Sequence, residues 1–178
     1  MQVEPLAIRG AALLRAELHE DARGTFRRVV DCALLASIGG EVTVSQVSVA
    51  TNRRRGTLRG LHYQVEPHGE AKTIWCDAGA VFDVIVDLRA EEPTYGTWLS
   101  VELTAADPVV LHVPRGVAHG YQTLADDTAL TYLISAPYVP ESARVLSWRD
   151  PTLRIPWPVP VTAISDRDDQ APTWPPSP

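Results

Sequence analysis

Short apolar or alternating runs fill the middle of the chain, and turn-forming residues separate them. Runs of about four to eight such residues, bounded by Gly, Pro, Asn or Asp, are typical of β-strands. Separators such as Pro67-His68-Gly69 and Pro114-Arg115-Gly116 supply turn geometry or stop a strand. The pattern predicts strands over Val42–Ala50, Thr57–Gln64, Ala71–Asp77, Ala80–Leu88, Trp98–Leu103, Val109–Val113, Ala118–Leu124 and Ala129–Ser135. Such a set predicts an all-β fold, a double-sheet jelly roll or small β-barrel with few short helices.

The two ends of the chain give weaker signals. Val30–Ile38 is the one segment with helical character, and Gly39-Gly40 follows it as a stop signal. From Pro140 onward we expect irregular chain draped over the barrel, with its tryptophans packed against it. The whole predicts a single domain over residues 1–172 and a disordered, proline-rich tail over residues 173–178.

Composition and charge exclude several classes of protein. The 178 residues carry a net charge of −6, which argues against a nucleic-acid partner because such proteins present a strongly basic face. No basic segment followed by an apolar run opens the sequence, and no apolar stretch is long enough for a membrane helix. Two cysteines are too few for a secreted disulfide framework, so we expect a cytoplasmic protein without a membrane partner.

The basic residues are almost all arginine. Fifteen of the sixteen are Arg, and Lys72 is the exception. A compact ammonium suits some sites better than a planar guanidinium, so Lys72 marks a possible functional position, with chance as the alternative.

The densest polar cluster is Arg59-Gly60-Leu61-His62-Tyr63-Gln64. Strict strand alternation places Arg59 and His62 on opposite faces. Glycine inside a strand often marks a bulge, and a bulge near Gly60 would turn both side chains toward one cavity. Taken alone, a histidine such as His62 is more often a packed core or surface residue than a catalytic one.

A second cluster, Pro114 to Gly120, resembles the second motif of the cupin superfamily of β-barrels, with His119 as its histidine. The matching first motif would contain His62, Gln64 and Glu66, and it lacks the second histidine of metal-binding cupins. We therefore expect no metal, and we keep a metal-dependent cupin using His62, Glu66 and His119 as the alternative.

Three further side chains stay ambiguous by themselves. Asp83 lies in a strand that is apolar on both faces, so it must be paired, either with an arginine such as Arg89 or inside a cavity. Tyr132 fits a packing aromatic. The charged run from Ile164 to Asp169 fits a solvated turn.

Segments along nearly the whole chain, in fixed order, resemble the dTDP-4-dehydrorhamnose 3,5-epimerase family, which includes epimerases of antibiotic deoxysugar pathways. The segments are Asp21 to Phe26, Arg59 to Gln64, Ala71-Lys72, Phe82 to Arg89, Pro93 to Trp98, Ala118 to Tyr121, Tyr132, Trp148 to Pro151, Ile155 to Pro158 and Ser165 to Asp168. The resemblance implies a metal-free, cupin-type jelly roll that needs no cofactor. It also implies a dTDP-linked 4-keto-6-deoxyhexose substrate and a homodimer whose N-terminal strands cross to the partner.

The family's chemistry is epimerisation beside a ketone. The 4-ketone acidifies the protons at C3 and C5, a base removes one, and an acid returns a proton to the opposite face. By position, His62 resembles the base and Asp168 the carboxylate that orients it. Tyr132 resembles the acid, because an ordinary phenol with a pKa of about 10 is protonated at neutral pH. Lys72 resembles the cation beside the keto oxygen, where enolate charge develops.

The remaining positions resemble binding residues. Asp83 and His119 match cavity residues, and Asp83 is expected to hold Lys72 in place. Arg23, Gln46 and Arg59 match contacts to the nucleotide diphosphate, which a guanidinium suits. Phe26 matches a residue near the base that reaches into the partner's site. Tyr138 matches an aromatic near the base or the sugar.

Three positions depart from the pattern that is common among family members acting on rhamnose precursors. Arg28 stands where those members carry Glu, and Ser48 and Ala50 stand where they carry Asn and Ser. These changes fall near the expected nucleotide pocket and leave the base contacts and the sugar open. The choice between C3, C5 and both centres is also open, because both outcomes would use His62 and Tyr132. A catalytically silent cupin that binds a sugar nucleotide is a further alternative.

Overall fold

Two β-sheets packed face to face form the body of the protein. A computed structural model describes residues 1–37, 39–107 and 109–174. The strands of these residues are β1 (Gln2–Pro5), β2 (Ala12–Arg15), β3 (Leu18–Asp21), β4 (Gly24–Arg27), β5 (Gln46–Asn52), β6 (Leu58–Gln64), β7 (Lys72–Ala78), β8 (Ala80–Asp87), β9 (Trp98–Thr104), β10 (Val109–Val113), β11 (Val117–Thr123), β12 (Thr128–Ile134) and β13 (Ala143–Val145). The helices are α1 (Cys32–Ser37) and α2 (Asp166–Asp169). Neither helix has the length and apolar character that crossing a membrane requires.

All strand pairs in the sheets are antiparallel. One sheet has the order β1-β2-β10-β7-β12-β5, and the other has the order β13-β6-β11-β8-β9. Strands β3 and β4 form a separate hairpin. Apart from β1-β2 and β8-β9, neighbouring strands are not consecutive in sequence, which is typical of a double-sheet jelly roll. This architecture confirms the predicted all-β, cupin-type fold.

The core lies between the inner faces of the two sheets. Leu13, Ile74 and Leu111 of the first sheet pack against Ile85 and Leu103 of the second in one buried cluster. Because alternate residues of a strand point to opposite faces, the cross-strand register shows which polar side chains share this interior. Lys72 and Tyr132 lie on the inner face of the first sheet, and His119 and Asp83 lie on that of the second.

The chain after β13 covers the outer face of the second sheet. Leu146, Leu153 and Ile155 pack there with the partly buried rings of Trp157 and Trp174. The expected draped segment with packed tryptophans is thus present, with β13 added at its start. Trp174 falls within the tail that we expected to be disordered, and its ring centroid lies 5.0 Å from that of Tyr95, with the two ring planes tilted by 58°. Residues 175–178 lie outside the described residues.

Helix α1 covers part of the outer face of the first sheet, where its Leu35 packs on Leu14 and Val110. The described part of this helix is shorter than the predicted Val30–Ile38, and Ile38 lies outside the described residues. On the edge strand β5 of the same sheet, the outward side chains of Val47 and Val49 are 66% and 64% exposed. The hairpin of β3 and β4 is likewise exposed along almost its whole length.

Each of the eight predicted strands corresponds to an observed strand. The largest difference is at Val42–Ala50, because β5 begins only at Gln46. Strands β1 to β4 and β13 were not predicted. Three residues of β2, Ala12 to Leu14, are all buried, and β3 and β4 are exposed on both faces, so none of these strands shows alternation.

A register shift in β6 occurs at Gly60, as the sequence predicted. His119 of β11 pairs with His62, whereas Tyr121 pairs with Arg59, so β6 contains one residue more than β11 between these pairs. Two residues of one strand facing one of its neighbour is the definition of a β-bulge. Arg59 and His62 consequently lie on the same face as Tyr121 and His119. Gly60 has a φ of +125°, and a Cβ there would lie 2.5 Å from the Cα of Gly120.

This close approach predicts different costs for two alanine substitutions. Gly24 in the hairpin has a similar φ of +121°, but a Cβ there would have nothing within 4 Å. We expect Gly24→Ala to cost about 1–3 kcal/mol of backbone strain. Gly60→Ala should cost a further ~1–3 kcal/mol, because two backbones must move apart. Denaturant unfolding of both variants measures the difference, and equal losses would contradict the steric contact.

Candidate active site

His62 and Asp168 form a hydrogen-bonded pair at the edge of the interior. The Nε2 atom of His62 lies 2.8 Å from Oδ1 of Asp168. Oδ2 of the same carboxylate accepts a hydrogen bond from the backbone N–H of Gly60 at 3.1 Å. One carboxylate therefore holds both the bulge and the imidazole, and Nδ1 is the ring nitrogen left to accept a proton.

Asp168 reaches this position from the short helix α2. Ser165 caps that helix by accepting a hydrogen bond from the backbone N–H of Asp168. We predicted a solvated charged turn for this segment taken alone, but the side chain of Asp168 is only 5% exposed. Burial raises the pKa of this carboxyl, but the hydrogen bonds from His62 and Gly60 and the charge of His62 outweigh burial. The net pKa of Asp168 is below its ordinary value, which favours the carboxylate.

A second histidine–carboxylate pair lies deeper between the sheets. Nε2 of His119 lies 2.9 Å from Oδ2 of Asp83, and both residues are buried. The other oxygen of Asp83 has no hydrogen-bond partner among the described residues. Burial raises the pKa of Asp83, and contact with His119 acts in the opposite direction. Of our two alternatives for Asp83, pairing with Arg89 is wrong, because Arg89 binds Asp87.

Tyr132 faces the same interior from the opposite sheet. Its ring lies 5.9 Å from the ring of His119 in an edge-to-face arrangement. His119 in turn stands beside His62 in the strand register, so an imidazole of one sheet and a phenol of the other border one interior. Burial raises the pKa of Tyr132 well above its ordinary value, and the side chain stays protonated at neutral pH.

Lys72 pairs with a residue that the sequence did not reveal. Its Nζ atom lies 2.6 Å from Oε1 of Glu70, and the two side chains are 8% and 10% exposed. Nζ also donates to the backbone oxygen of His62 at 3.4 Å. We expected Asp83 to hold Lys72 in place, but the residue that forms an ion pair with Lys72 is Glu70. The ammonium nevertheless lies beside His62.

Two clefts open on either side of His62. One, of about 400 Å³, is lined by Arg59, His62, Arg167 and Asp168 among others. The other, of about 280 Å³, is lined by Gln46, Lys72 and Tyr138, again with His62 and Arg167. Arg167 belongs to both clefts and donates to the hydroxyl of Tyr138 at 3.5 Å. Sequence reasoning missed Arg167, and its only signal was its place next to Asp168.

Arg23 and Phe26 do not join this site within one chain. Both lie on the exposed hairpin, where the backbone N–H of Arg23 donates to Asp21 and the Phe26 side chain is 72% exposed. Of the three departures from the family pattern, Arg28 follows the hairpin and pairs with Asp31. Ser48 and Ala50 lie on the inner side of β5, opposite Tyr132 and Leu130.

The ligands required by the metal-dependent alternative do not converge. In the described ranges, no three His, Cys, Asp or Glu side chains are grouped so that they could hold a metal ion. Glu66 lines another cleft with Leu88 and Arg115. The Nε2 atoms of His62 and His119 each face a different aspartate.

Comparison with known proteins finds similarity along nearly the whole chain. The family model described as dTDP-4-dehydrorhamnose 3,5-epimerase matches residues 5–175. A dTDP-4-dehydrorhamnose 3,5-epimerase of Sinorhizobium fredii is 38% identical over 174 residues, which cover 97% of this chain and 89% of that protein.

Solved structures of such epimerases have the same fold. The dTDP-4-dehydrorhamnose 3,5-epimerase of Bacillus anthracis, with TDP and PPi bound, superposes with a TM-score of 0.93 at 35% identity and covers 97% of this chain and 98% of its own. ChmJ, a 3'-monoepimerase from Streptomyces bikiniensis in complex with dTDP-quinovose, superposes with a TM-score of 0.88 at 37% identity. The match covers 96% of this chain and 86% of ChmJ. The chain therefore belongs to the dTDP-4-dehydrorhamnose 3,5-epimerase family.

Proposed function

We propose that the chain is a cofactor-independent epimerase of a dTDP-linked 4-keto-6-deoxyhexose, acting at C3, C5 or both. The observation that carries this proposal is the placement of the His62–Asp168 pair on one sheet and the Tyr132 phenol on the other, around a shared interior. Inverting a carbon requires a base on one face of the sugar and an acid on the opposite face. The two sheets offer one of each.

In this proposal His62 removes the proton from the carbon next to the ketone. Asp168 accepts the Nε2–H hydrogen bond at 2.8 Å, which fixes the tautomer and leaves the Nδ1 lone pair for the substrate. A carboxylate in this position also stabilises the imidazolium that forms, as in a catalytic triad. Because the pKa of Asp168 is lowered, its side chain carries the negative charge that this role requires.

The electrons of the broken C–H bond move onto the keto oxygen, which gives an enolate. A fixed positive charge where negative charge develops is a large contribution to catalysis. In this proposal Lys72 supplies that positive charge. Its ammonium donates to the backbone oxygen of His62 and so lies on the same side as the base. Glu70 holds the ammonium at 2.6 Å, and the pair can enter a buried site because its charges balance.

Tyr132 then gives its phenolic proton to the other face of the same carbon. A raised pKa suits this step, because the group must arrive protonated at neutral pH. His119 and Asp83 contact the sugar in this proposal, beside the Tyr132 ring. Gln46, Arg59 and Tyr138 contact the nucleotide diphosphate and base, since they line the two clefts that open at His62.

We further propose that the active protein is a homodimer whose hairpins exchange. Val47 and Val49 leave an apolar strip on the outer face of the edge strand β5, and exposed strips of this kind often mark interfaces. Phe26, a large apolar side chain of the hairpin, is likewise 72% exposed. In a dimer, Arg23 and Phe26 would complete the partner's nucleotide site.

Free Cys32 and Cys76 are compatible with a cytoplasmic location.

Solvent exchange tests the division between base and acid. In heavy water, with dTDP-4-keto-6-deoxyglucose as substrate, proton NMR should show deuterium entering C3, C5 or both. His62→Ala should abolish exchange and inversion together, because both need the base. Tyr132→Phe should keep more exchange than inversion, because only inversion needs a proton from the opposite face.

Two outcomes would contradict this scheme. No label at either carbon, with a folded protein and several nucleotide sugars tried, counts against the activity itself. Equal loss of exchange and inversion in Tyr132→Phe counts against the roles of the two residues. The assay is repeated with EDTA. Loss of activity would favour the metal-dependent alternative, and retained activity would count against it.

Mixed dimers test the exchange of hairpins. Co-expression of a His62→Ala chain with a Phe26→Ala chain should restore roughly a quarter of the wild-type rate, because half of the dimers are mixed and each has one intact site. The matched control combines His62→Ala with Tyr132→Phe, whose defects fall in the same body, and should give no recovery. Recovery in the control, or none in the test pair, would contradict sites shared between chains.

A further inference from the structure

A chain of hydrogen bonds runs from Arg59 into the interior through two residues that have no role so far. The Nε–H of Arg59 donates to Oδ1 of Asn52 at 2.9 Å. The hydroxyl of Tyr121 donates to the same oxygen at 3.2 Å. One carboxamide oxygen therefore joins a side chain of the cleft to a side chain of the core.

Asn52 is itself held firmly. The residue is 4% exposed, and its Nδ2 atom donates to the backbone oxygen of Thr128 at 3.2 Å. This bond fixes which end of the side chain is the oxygen, because a carbonyl can only accept. Asn52 lies on β5 of the first sheet, whereas Arg59 and Tyr121 belong to β6 and β11 of the second. The carboxamide thus bridges the two sheets beside the proposed active site.

Tyr121 extends the chain toward the proposed acid. Its ring is 1% exposed and belongs to the core cluster against which Tyr132 packs. Both tyrosine rings flank His119, with centroids 6.3 Å and 5.9 Å from it. Interaction with Tyr121 is also one of the causes that raise the pKa of Tyr132, after burial.

We propose that Asn52 and Tyr121 are a positioning pair that sets Arg59 at one end and Tyr132 at the other. This inference rests on the proposed epimerase function. Asn52 anchors the Nε–H of the guanidinium, the backbone oxygen of Thr51 accepts from one of its NH2 groups at 3.4 Å, and Arg59 so held lines the cleft of about 400 Å³ beside His62. Tyr121 gives the Tyr132 hydroxyl a fixed neighbour and so limits the directions in which its proton points.

The pair acts on binding and chemistry separately. Fixing Arg59 favours the diphosphate, because a guanidinium that is already oriented loses less freedom when it binds. Fixing Tyr132 favours proton delivery to the carbon, because transfer depends on a close and aligned geometry. Removal of a proton by His62 depends on neither contact.

Three variants separate the two ends, and isothermal titration with dTDP alone provides the binding probe. Tyr121→Phe should leave the Kd for dTDP within about twofold, yet lower the ratio of inversion to deuterium exchange about tenfold, the loss expected for one buried hydrogen bond. Asn52→Ala should lower that ratio and also weaken dTDP binding about tenfold. Asn52→Asp keeps the accepting oxygen and should retain more dTDP affinity than Asn52→Ala.

The double variant Tyr121→Phe/Tyr132→Phe distinguishes positioning from general damage. If Tyr121 acts through Tyr132, the double variant should invert no more slowly than Tyr132→Phe alone, since interacting residues give non-additive losses. Tyr95→Phe, at an exposed site 46% accessible, is the control and should behave as wild type. Thermal unfolding of each variant shows whether the fold is kept.

Either of two results would overturn the pairing. They are fully additive losses in the double variant, or unchanged dTDP affinity in Asn52→Ala. A wild-type protein that binds dTDP but exchanges no label would instead overturn the proposed function, together with the Tyr132 end of this inference. If Tyr121→Phe fails to fold, the dTDP affinities of the two Asn52 variants decide whether Arg59 is positioned.

Discussion

The carboxylate of Asp168 connects the shape of strand β6 to the chemistry of His62. Its two oxygens accept hydrogen bonds from the backbone of Gly60 and from the imidazole, at 3.1 Å and 2.8 Å. The bulge at Gly60 turns His62 inward, and the same carboxylate then sets the tautomer of the ring it has helped to place. Removing the carboxylate would therefore disturb both the strand and the base.

The interior tolerates its ionisable groups because each has a partner. His119 pairs with Asp83, Lys72 with Glu70, and His62 with Asp168. An isolated buried charge is very costly, whereas a paired one costs much less. The single exception is one oxygen of Asp83, which lacks a partner among the described residues.

Sequence patterns predicted the central strands and the bulge, because these depend on local alternation and on one glycine. They could not predict β3 and β4, which have no buried face, or the pairing of Lys72 with Glu70. Asp168 lies 106 residues from His62, and no local rule connects two positions so far apart. Its expected place came only from resemblance to the family. The contacts of Arg167 with Tyr138 and of Tyr121 with Asn52 also join residues 29 and 69 positions apart, and they were not foreseen.

The order of the segments along the chain has a consequence for synthesis. The histidine belongs to an early strand of the second sheet, but its aspartate comes from α2, near the end of the chain. A ribosome releases the barrel strands well before α2 emerges, so the nascent protein holds an unoriented imidazole. Contacts between such distant residues form late and slowly, because a long loop must close first. The imidazole of His62 thus gains its orienting carboxylate only after α2 has been translated and has folded back onto β6.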